Sequence, residues 1–423
     1  MINLEKKVLC NGVNFTCVHD NRFKTNRISV TMFLPLNSEN ASKNAILPFI
    51  LSRSCKDYPD FIKLNEKLSE LYGATIIPSV NKIGDFQALT ISITGIDDKY
   101  SLDNKCISKE LIKLLCSIIF NPNLVNNKFN EEDVNQEKRQ LIELIDSEFN
   151  DKKAYSKLRC EELMCSNEKY GINRYGARKQ VTNLTNDDIF KAWDNAIKTA
   201  QIEIIVIGNL DCNNTFKMFE NEILKLNRNF SQIYKTEIIK GSENVKEYTD
   251  KMEVAQCKLV MGFRTGVAIP DNDTISMKIM TALFGGTPHS KLFLNVREKM
   301  SLCYYCTAKY DMNKGIIIVE CGVEKNNIDK AKNEILNQLE SIKSGNFDEL
   351  EITATKLSVE NTFKSLSDNH FSLENFYISQ TFGKEITTPK QQAKMVRNVT
   401  KDDIIKAANK VILDTVYILE NEK

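Results

Sequence analysis

The segment Val181-Thr182-Asn183-Leu184-Thr185-Asn186-Asp187-Asp188-Ile189-Phe190-Lys191-Ala192 returns as Val396-Arg397-Asn398-Val399-Thr400-Lys401-Asp402-Asp403-Ile404-Ile405-Lys406-Ala407. An internal repeat constrains architecture more firmly than local propensity does, because the same structural unit must be built twice. In each copy a Thr is placed to cap a helix N-terminus, with Asp residues in the first turn near the positive end of the helix dipole. A β-rich run follows each helix, over residues 201–207 and 415–419. Both halves are therefore expected to close on a helix and then a strand.

Apolar alternation predicts strands over 14–19, 27–34, 74–80 and 86–93, followed by helices over 108–120, 131–149 and 155–165. In the second half, strands are expected over 253–263, 303–310 and 315–321, with helices over 274–283, 328–342, 348–366 and 373–380. The polar, Asn/Glu/Lys-rich stretch 225–246 carries neither period and reads as a linker. The expected fold is α+β, with two homologous halves, 1–224 and 247–423, each an antiparallel sheet covered by helices.

Charge narrows the function. With 57 basic against 56 acidic residues and no long block of either sign, the chain lacks the field that phosphate neutralisation requires, so nucleic acid is not an expected partner. Residues 1–7 contain no apolar signal-peptide core, and no apolar run is long enough to cross a bilayer. A cytoplasmic chain without membrane association is expected. There the twelve cysteines, spread singly over both halves, read as mostly reduced, packed thiols. Cys303-x-x-Cys306 falls within a predicted strand, not at a helix start, and has no second pair to complete a zinc site. His19, His289 and His370 are too scattered to suggest a ligand set.

The densest chemistry lies between Gly285 and Tyr304. Gly285-Gly286 frees the backbone to turn, and Leu292, Phe293 and Val296 give the following helix an apolar face. Arg297 is then expected in the last turn of that helix, with Tyr304 seven residues later on the next strand. A guanidinium and a phenol both donate hydrogen bonds to an oxygen that becomes negative during acyl transfer. In isolation the pair is better read as a helix-end cation and a half-buried strand aromatic.

The full string G-G-x-x-x-S-x-L-F-x-x-V-R-E-K-x-x-L-x-Y resembles the substrate-gripping segment of the insulinase-type (M16) zinc peptidases. The likeness extends along the chain through the repeat and through residues 129–134. It implies a LuxS/MPP-like metallohydrolase fold in which Arg297 and Tyr304 hold the scissile carbonyl. The family's zinc motif, H-x-x-E-H, is missing. Aligning Ser54-Cys55-Lys56 with the family's Gly-Thr-Lys-like turn puts Ala45, Pro48 and Phe49 where the two imidazoles and the general base should stand. Leu144, seven residues after Glu137, occupies the distal ligand position, and Glu143 lies about 100° around the helix from it. Pro48 further places a helix start near Asn44.

The resemblance therefore implies a subunit that is catalytically incomplete, binds an extended peptide and supplies Arg297 and Tyr304 in trans. Its companion would be a zinc-bearing M16 subunit (YfmH type), with peptide or unfolded protein as substrate and no cofactor in this chain. Isolated chains could also pair as homodimers. The bacterial non-zinc type it most resembles is associated with 5-aminopentanol modification of elongation factor P. Substrate is expected to add to a sheet edge formed by 86–93, with Phe86, Leu89, Ile91, Gly285 and Gly286 as substrate-binding residues. The alternatives are a scaffold, as in the core subunits of respiratory complex III, and a metallopeptidase with non-standard ligands.

Overall fold

The computed structural model describes residues 3–103, 105–230 and 235–422. Strands β1 (Asn3–Cys10), β2 (Val13–His19), β3 (Thr25–Pro35), β4 (Thr75–Ile83), β5 (Phe86–Ile96) and β6 (Gln201–Gly208) form one sheet, ordered β1-β2-β6-β3-β5-β4. Strands β7 (Lys246–Met252), β8 (Cys257–Arg264), β9 (Cys303–Asp311), β10 (Ile316–Val323) and β11 (Ile412–Asn421) form a second, ordered β7-β11-β8-β10-β9. With β1 set aside, the two orders match strand for strand. The expected antiparallel sheets each contain one parallel pair, β2 with β6 and β7 with β11. Both pairs join strands separated by an entire helical layer, the long crossover that parallel neighbours require.

The repeated Thr residues cap as expected. Thr185 Oγ1 accepts from the Asp188 amide at 3.2 Å while Asp188 accepts from the Thr185 amide at 3.1 Å. Thr400 and Asp403 repeat this reciprocal box at 3.2 and 2.9 Å, each pair satisfying two amides that a helix start leaves open. The helices they begin are Asn186–Thr199 and Lys401–Asn409, and each leads into the strand that sits third from the end of its sheet or next to it, β6 and β11. Strands β1 and β7 and the helices Phe61–Glu70 and Cys212–Ile223 were not foreseen. β7, Lys-Glu-Tyr-Thr-Asp-Lys-Met, is a polar edge strand mostly open to solvent, so it shows no apolar alternation. It also takes the last residue of the expected linker, of which residues 231–234 lie outside the described residues.

The compact units do not follow the contiguous boundaries 1–224 and 247–423. Unit 1 comprises Met1–Asp146, Ile172–Lys235 and His370–Ile378; unit 2 comprises Ser147–Gly171, Thr236–Asn369 and Ser379–Lys423. Each unit thus takes a segment from the other half of the chain. Each exchanged segment is held by a buried ion pair. In unit 1, Glu374 of the helix His370–Ile378 meets Arg27 of β3 at 2.6 Å. In unit 2, Glu168 meets Arg264 of β8 at 2.6 Å and Lys314 at 2.8 Å, and Arg264 also reaches Asp414 of β11 at 3.0 Å.

Helices Ile107–Phe120 and Asn186–Thr199 lie on the unit 1 sheet, over a core that includes Phe15, Ile28, Val30, Leu89 and Ile91. In unit 2, the helix Thr274–Thr281 packs beside β9, while Lys152–Met164 covers β8 and β11. Among the described residues, no helix is long and apolar enough to cross a membrane. One feature departs from the expectation of reduced thiols: Cys17 of β2 and Cys212 form a disulfide, with Cα atoms 5.9 Å apart. The other ten cysteines are free.

Candidate functional site

Chain geometry at the degenerate metal position begins with a broken helix. A short helix, Ala41–Ala45, is followed through Ile46 by a second, Leu47–Leu51. The expected start near Asn44 is thus corrected to Ala41, with the interruption falling before Pro48. Proline has no N–H to offer the carbonyl of Asn44, and it sits in the first turn of the new helix, where that amide is dispensable. Ala45 and Pro48 are buried, and Phe49 is half-buried against the core. Leu144, on the helix Glu131–Asn150, is partly exposed. None of the four carries an atom able to ligate zinc.

Near Phe49 and Glu137 the side chain that stands out is a guanidinium, which lines the same cavity as they do. Arg53 lies 3.1 Å from Asp133 and 3.5 Å from Glu137, donates to Gln136 at 3.1 Å, and lies over the Phe61 ring at 4.5 Å. Burial pushes the Glu137 carboxyl above its ordinary range, opposed by the Arg53 charge and reinforced by Asp133. A cavity of about 380 Å³ opens beside this cluster, lined by Phe49, Arg53, Leu64, Ile76, Pro78 and Glu137. A fixed cation already balances the carboxylates here, and the remaining walls are largely apolar, so the residues do not fit a catalytic zinc.

Arg297 and Tyr304 stand in unit 2 on the elements expected of them. The helical segment Leu292–Lys299 is wound in the wide i→i+5 pattern, as in the Met300 amide to Asn295 carbonyl bond of 3.1 Å. Such widening shifts the angular position of the side chains that follow. Arg297, in its last turn, is half-exposed; its guanidinium lies over Phe293 at 4.5 Å and its Nε is 3.5 Å from Glu298. Ser301, at φ 50°, turns the chain sharply into β9.

Strand β9 is an edge of its sheet. Its pairing with β10 runs in register from Asp311 to Tyr305, then jumps so that Val323 meets Cys303, leaving Tyr304 as the extra residue of a β-bulge. The bulge sends Tyr304 into solvent, where it is 68% exposed.

Gly285 and Gly286 serve differently from the tight turn expected of them, since neither has a positive φ. At Gly285 a Cβ would come within 2.7 Å of the Ala308 Cβ and backbone nitrogen, so this glycine lets the wide turn Ala282–Gly286 press directly onto β9. Gly286 has no neighbour closer than 3.4 Å.

The expected peptide-binding edge is corrected. β5 lies between β3 and β4, and its Phe86, Leu89 and Ile91 are buried in the interior. The edge on this side of the sheet is β4, whose mixed exposure and Pro78 suit an unpaired strand margin. Strong apolar alternation marked β5 as a strand, and that same richness marks it as central. β4 and β9 hold equivalent places in the two sheet orders.

The cysteine motif is larger than the sequence suggested. Cys321 of β10 lies directly opposite Cys306, and the sulfurs of Cys303, Cys306 and Cys321 all lie within 4.8 Å of one another. Hydrogen bonds from Cys306 and then Cys321 pull the Cys303 thiol down to about 4, against burial and helped by the Arg297 charge. A usable signal was present: Cys306 and Cys321 each lie five residues from Asp311 and Ile316, the pair that closes the β9–β10 hairpin.

Comparison with known proteins agrees with this arrangement. Residues 183–359 match the family model described as the peptidase M16 inactive domain. The chain is 32% identical to "Probable inactive metalloprotease YmfF" of Bacillus subtilis, over 97% of this chain and 96% of that protein. Among solved structures, a conserved protein from Enterococcus faecalis superposes with a TM-score of 0.89 at 28% identity, covering 99% of both chains. A peptidase M16 inactive domain from Pseudomonas fluorescens shares the fold, with a TM-score of 0.78 at 13% identity over 100% of this chain and 99% of that one. Likeness along nearly its whole length to an inactive member, with a duplicated fold shared with M16 structures, makes this chain a member of the M16 peptidase family, akin to its inactive proteins.

Proposed function

We propose that this chain is the catalytically incomplete subunit of a two-chain zinc peptidase. It binds an extended peptide and contributes Arg297 and Tyr304 to a site whose metal belongs to a zinc-bearing M16 partner. The observation that carries this reading is Tyr304 itself. A tyrosine kept for packing buries its ring, whereas this one is held 68% exposed on a bulged edge strand, one turn of chain from a half-exposed arginine. A pure scaffold has no use for that display.

Peptide binding by strand addition then falls to the edges β4 and β9, where main-chain hydrogen bonds supply affinity for an unfolded substrate. Phe86, Leu89 and Ile91 support β4 from within the sheet. Cytosolic operation belongs to the same reading; ten of the twelve cysteines are free, and the Cys17–Cys212 disulfide is the feature set against it.

The test is co-expression with a zinc-bearing M16 subunit, followed by assembly and peptide-cleavage assays. Arg297→Ala and Tyr304→Phe should each lower turnover roughly 100- to 1,000-fold, the scale seen when a transition-state donor is removed, while the complex still assembles. The chain alone should cleave no peptide. Unchanged turnover in both variants would leave the scaffold reading in its place.

A further inference from the structure

The geometry points to a thiophilic metal site formed by Cys303, Cys306 and Cys321, able to take one Zn(II) or Cu(I) ion at the outer margin of the unit 2 sheet. In a regular strand, residues three apart face opposite sides. The bulge at Tyr304 inserts one residue between Cys303 and Cys306 and so brings both onto one face, where Cys321 stands directly across from Cys306. Three sulfurs within 4.8 Å of one another are close to the separation of about 4 Å that thiolates adopt around one ion at a metal–sulfur distance of about 2.3 Å. Among the described residues this is the one grouping of His, Cys, Asp or Glu side chains placed to hold an ion.

The donor set selects the ion class. Three soft sulfurs and no oxygen disfavour magnesium or calcium and favour copper(I) or zinc. Access is provided as well, because Cys303 is only half-buried while Cys306 and Cys321 are buried. The fourth position of a zinc ion would therefore face the open side of the edge strand, whereas copper(I) would be satisfied by the three thiolates. The Arg297 charge beside Cys303 offsets the negative charge that three thiolates gather. An ion there would tie β9 to β10 on either side of the bulge and fix the base of Tyr304.

The site stands on the strand pairing alone and does not depend on the peptide-binding reading. Its test uses the full-length chain, reduced and free of oxygen, titrated with Co(II) as a spectroscopic probe and then challenged with Zn(II) or Cu(I). The expected result is one equivalent of cobalt with thiolate-to-metal charge-transfer absorption, displaced by either ion. Cys303→Ser, at a half-buried position that tolerates the change, should lose the absorption with its circular dichroism unaltered, and Cys321→Ser should lose it too. Cys106→Ser, which alters an exposed thiol elsewhere, should retain it. Absence of the charge-transfer band in the parent protein, or its survival in both the Cys303 and Cys321 variants, would overturn the assignment.

Discussion

Arg53 lies 3.5 Å from Glu137, so a guanidinium supplies positive charge beside this buried carboxylate. Glu137 is 4% exposed, and an ionised carboxylate at that depth is tolerable only beside a cation.

A pH dependence follows from this pair. Burial raises the folded-state pKa of Glu137 above its ordinary value of 4.5, so the folded protein holds the proton more tightly than the unfolded chain does. The resulting stabilisation is present below the unfolded pKa and is lost as pH rises through the folded one. Glu137→Gln should therefore flatten the fall in stability as pH climbs above about 4.5, the ordinary value. Urea unfolding across pH 4 to 8, roughly the range in which carboxyl shifts are expressed, would show it; parallel profiles for parent and variant would refute it.

The buried cluster around Arg264 should behave in the opposite sense. Burial disfavours ionised Glu168, but hydrogen bonds from Arg264 and Lys314 outweigh it and hold the carboxyl below its ordinary range. Stability from this group is present above the unfolded pKa and is lost as pH falls through the folded one. Glu168→Leu would take away the carboxylate that Lys314 meets at 2.8 Å and leave Arg264 to Asp414, so a loss of about 3–5 kcal/mol is expected, measured by urea denaturation.

The two capping boxes give a matched pair of smaller effects. Thr185→Ala and Thr400→Ala should each cost about 1 kcal/mol. The residues belong to different compact units, so the double variant should lose the sum of the single losses. Thermal or denaturant midpoints of the three variants decide it.

Adjacent glycines should respond unequally. Gly285→Ala places a methyl 2.7 Å from Ala308, which predicts about 1–3 kcal/mol of overpacking strain and a displaced turn ahead of Arg297. Gly286→Ala meets nothing closer than 3.4 Å and should be nearly neutral. Equal losses of stability in the two variants would argue against the close approach of this turn to β9.

What the sequence determined alone was whatever is written locally. The repeat announced a duplicated fold, and the Thr-x-x-Asp caps appeared as expected because donor and acceptor lie three residues apart. Arg297 and Tyr304 fell on their helix and strand for the same reason, and that Ala45, Pro48, Phe49 and Leu144 offer no zinc-ligating atom needed only their identities. Tertiary structure decided everything that depends on pairing across long separations. It placed β5 inside the sheet and β4 at the edge, although both alternate. It moved 147–171 and 370–378 into opposite units, fastened by Arg264–Glu168 and Arg27–Glu374. It also joined Cys321 to Cys303 and Cys306 through one bulge. Alternation tells which side chains share a face of one strand, but strand order, register and ion-pair partners are set by which distant segments meet, and a linear pattern does not contain that choice.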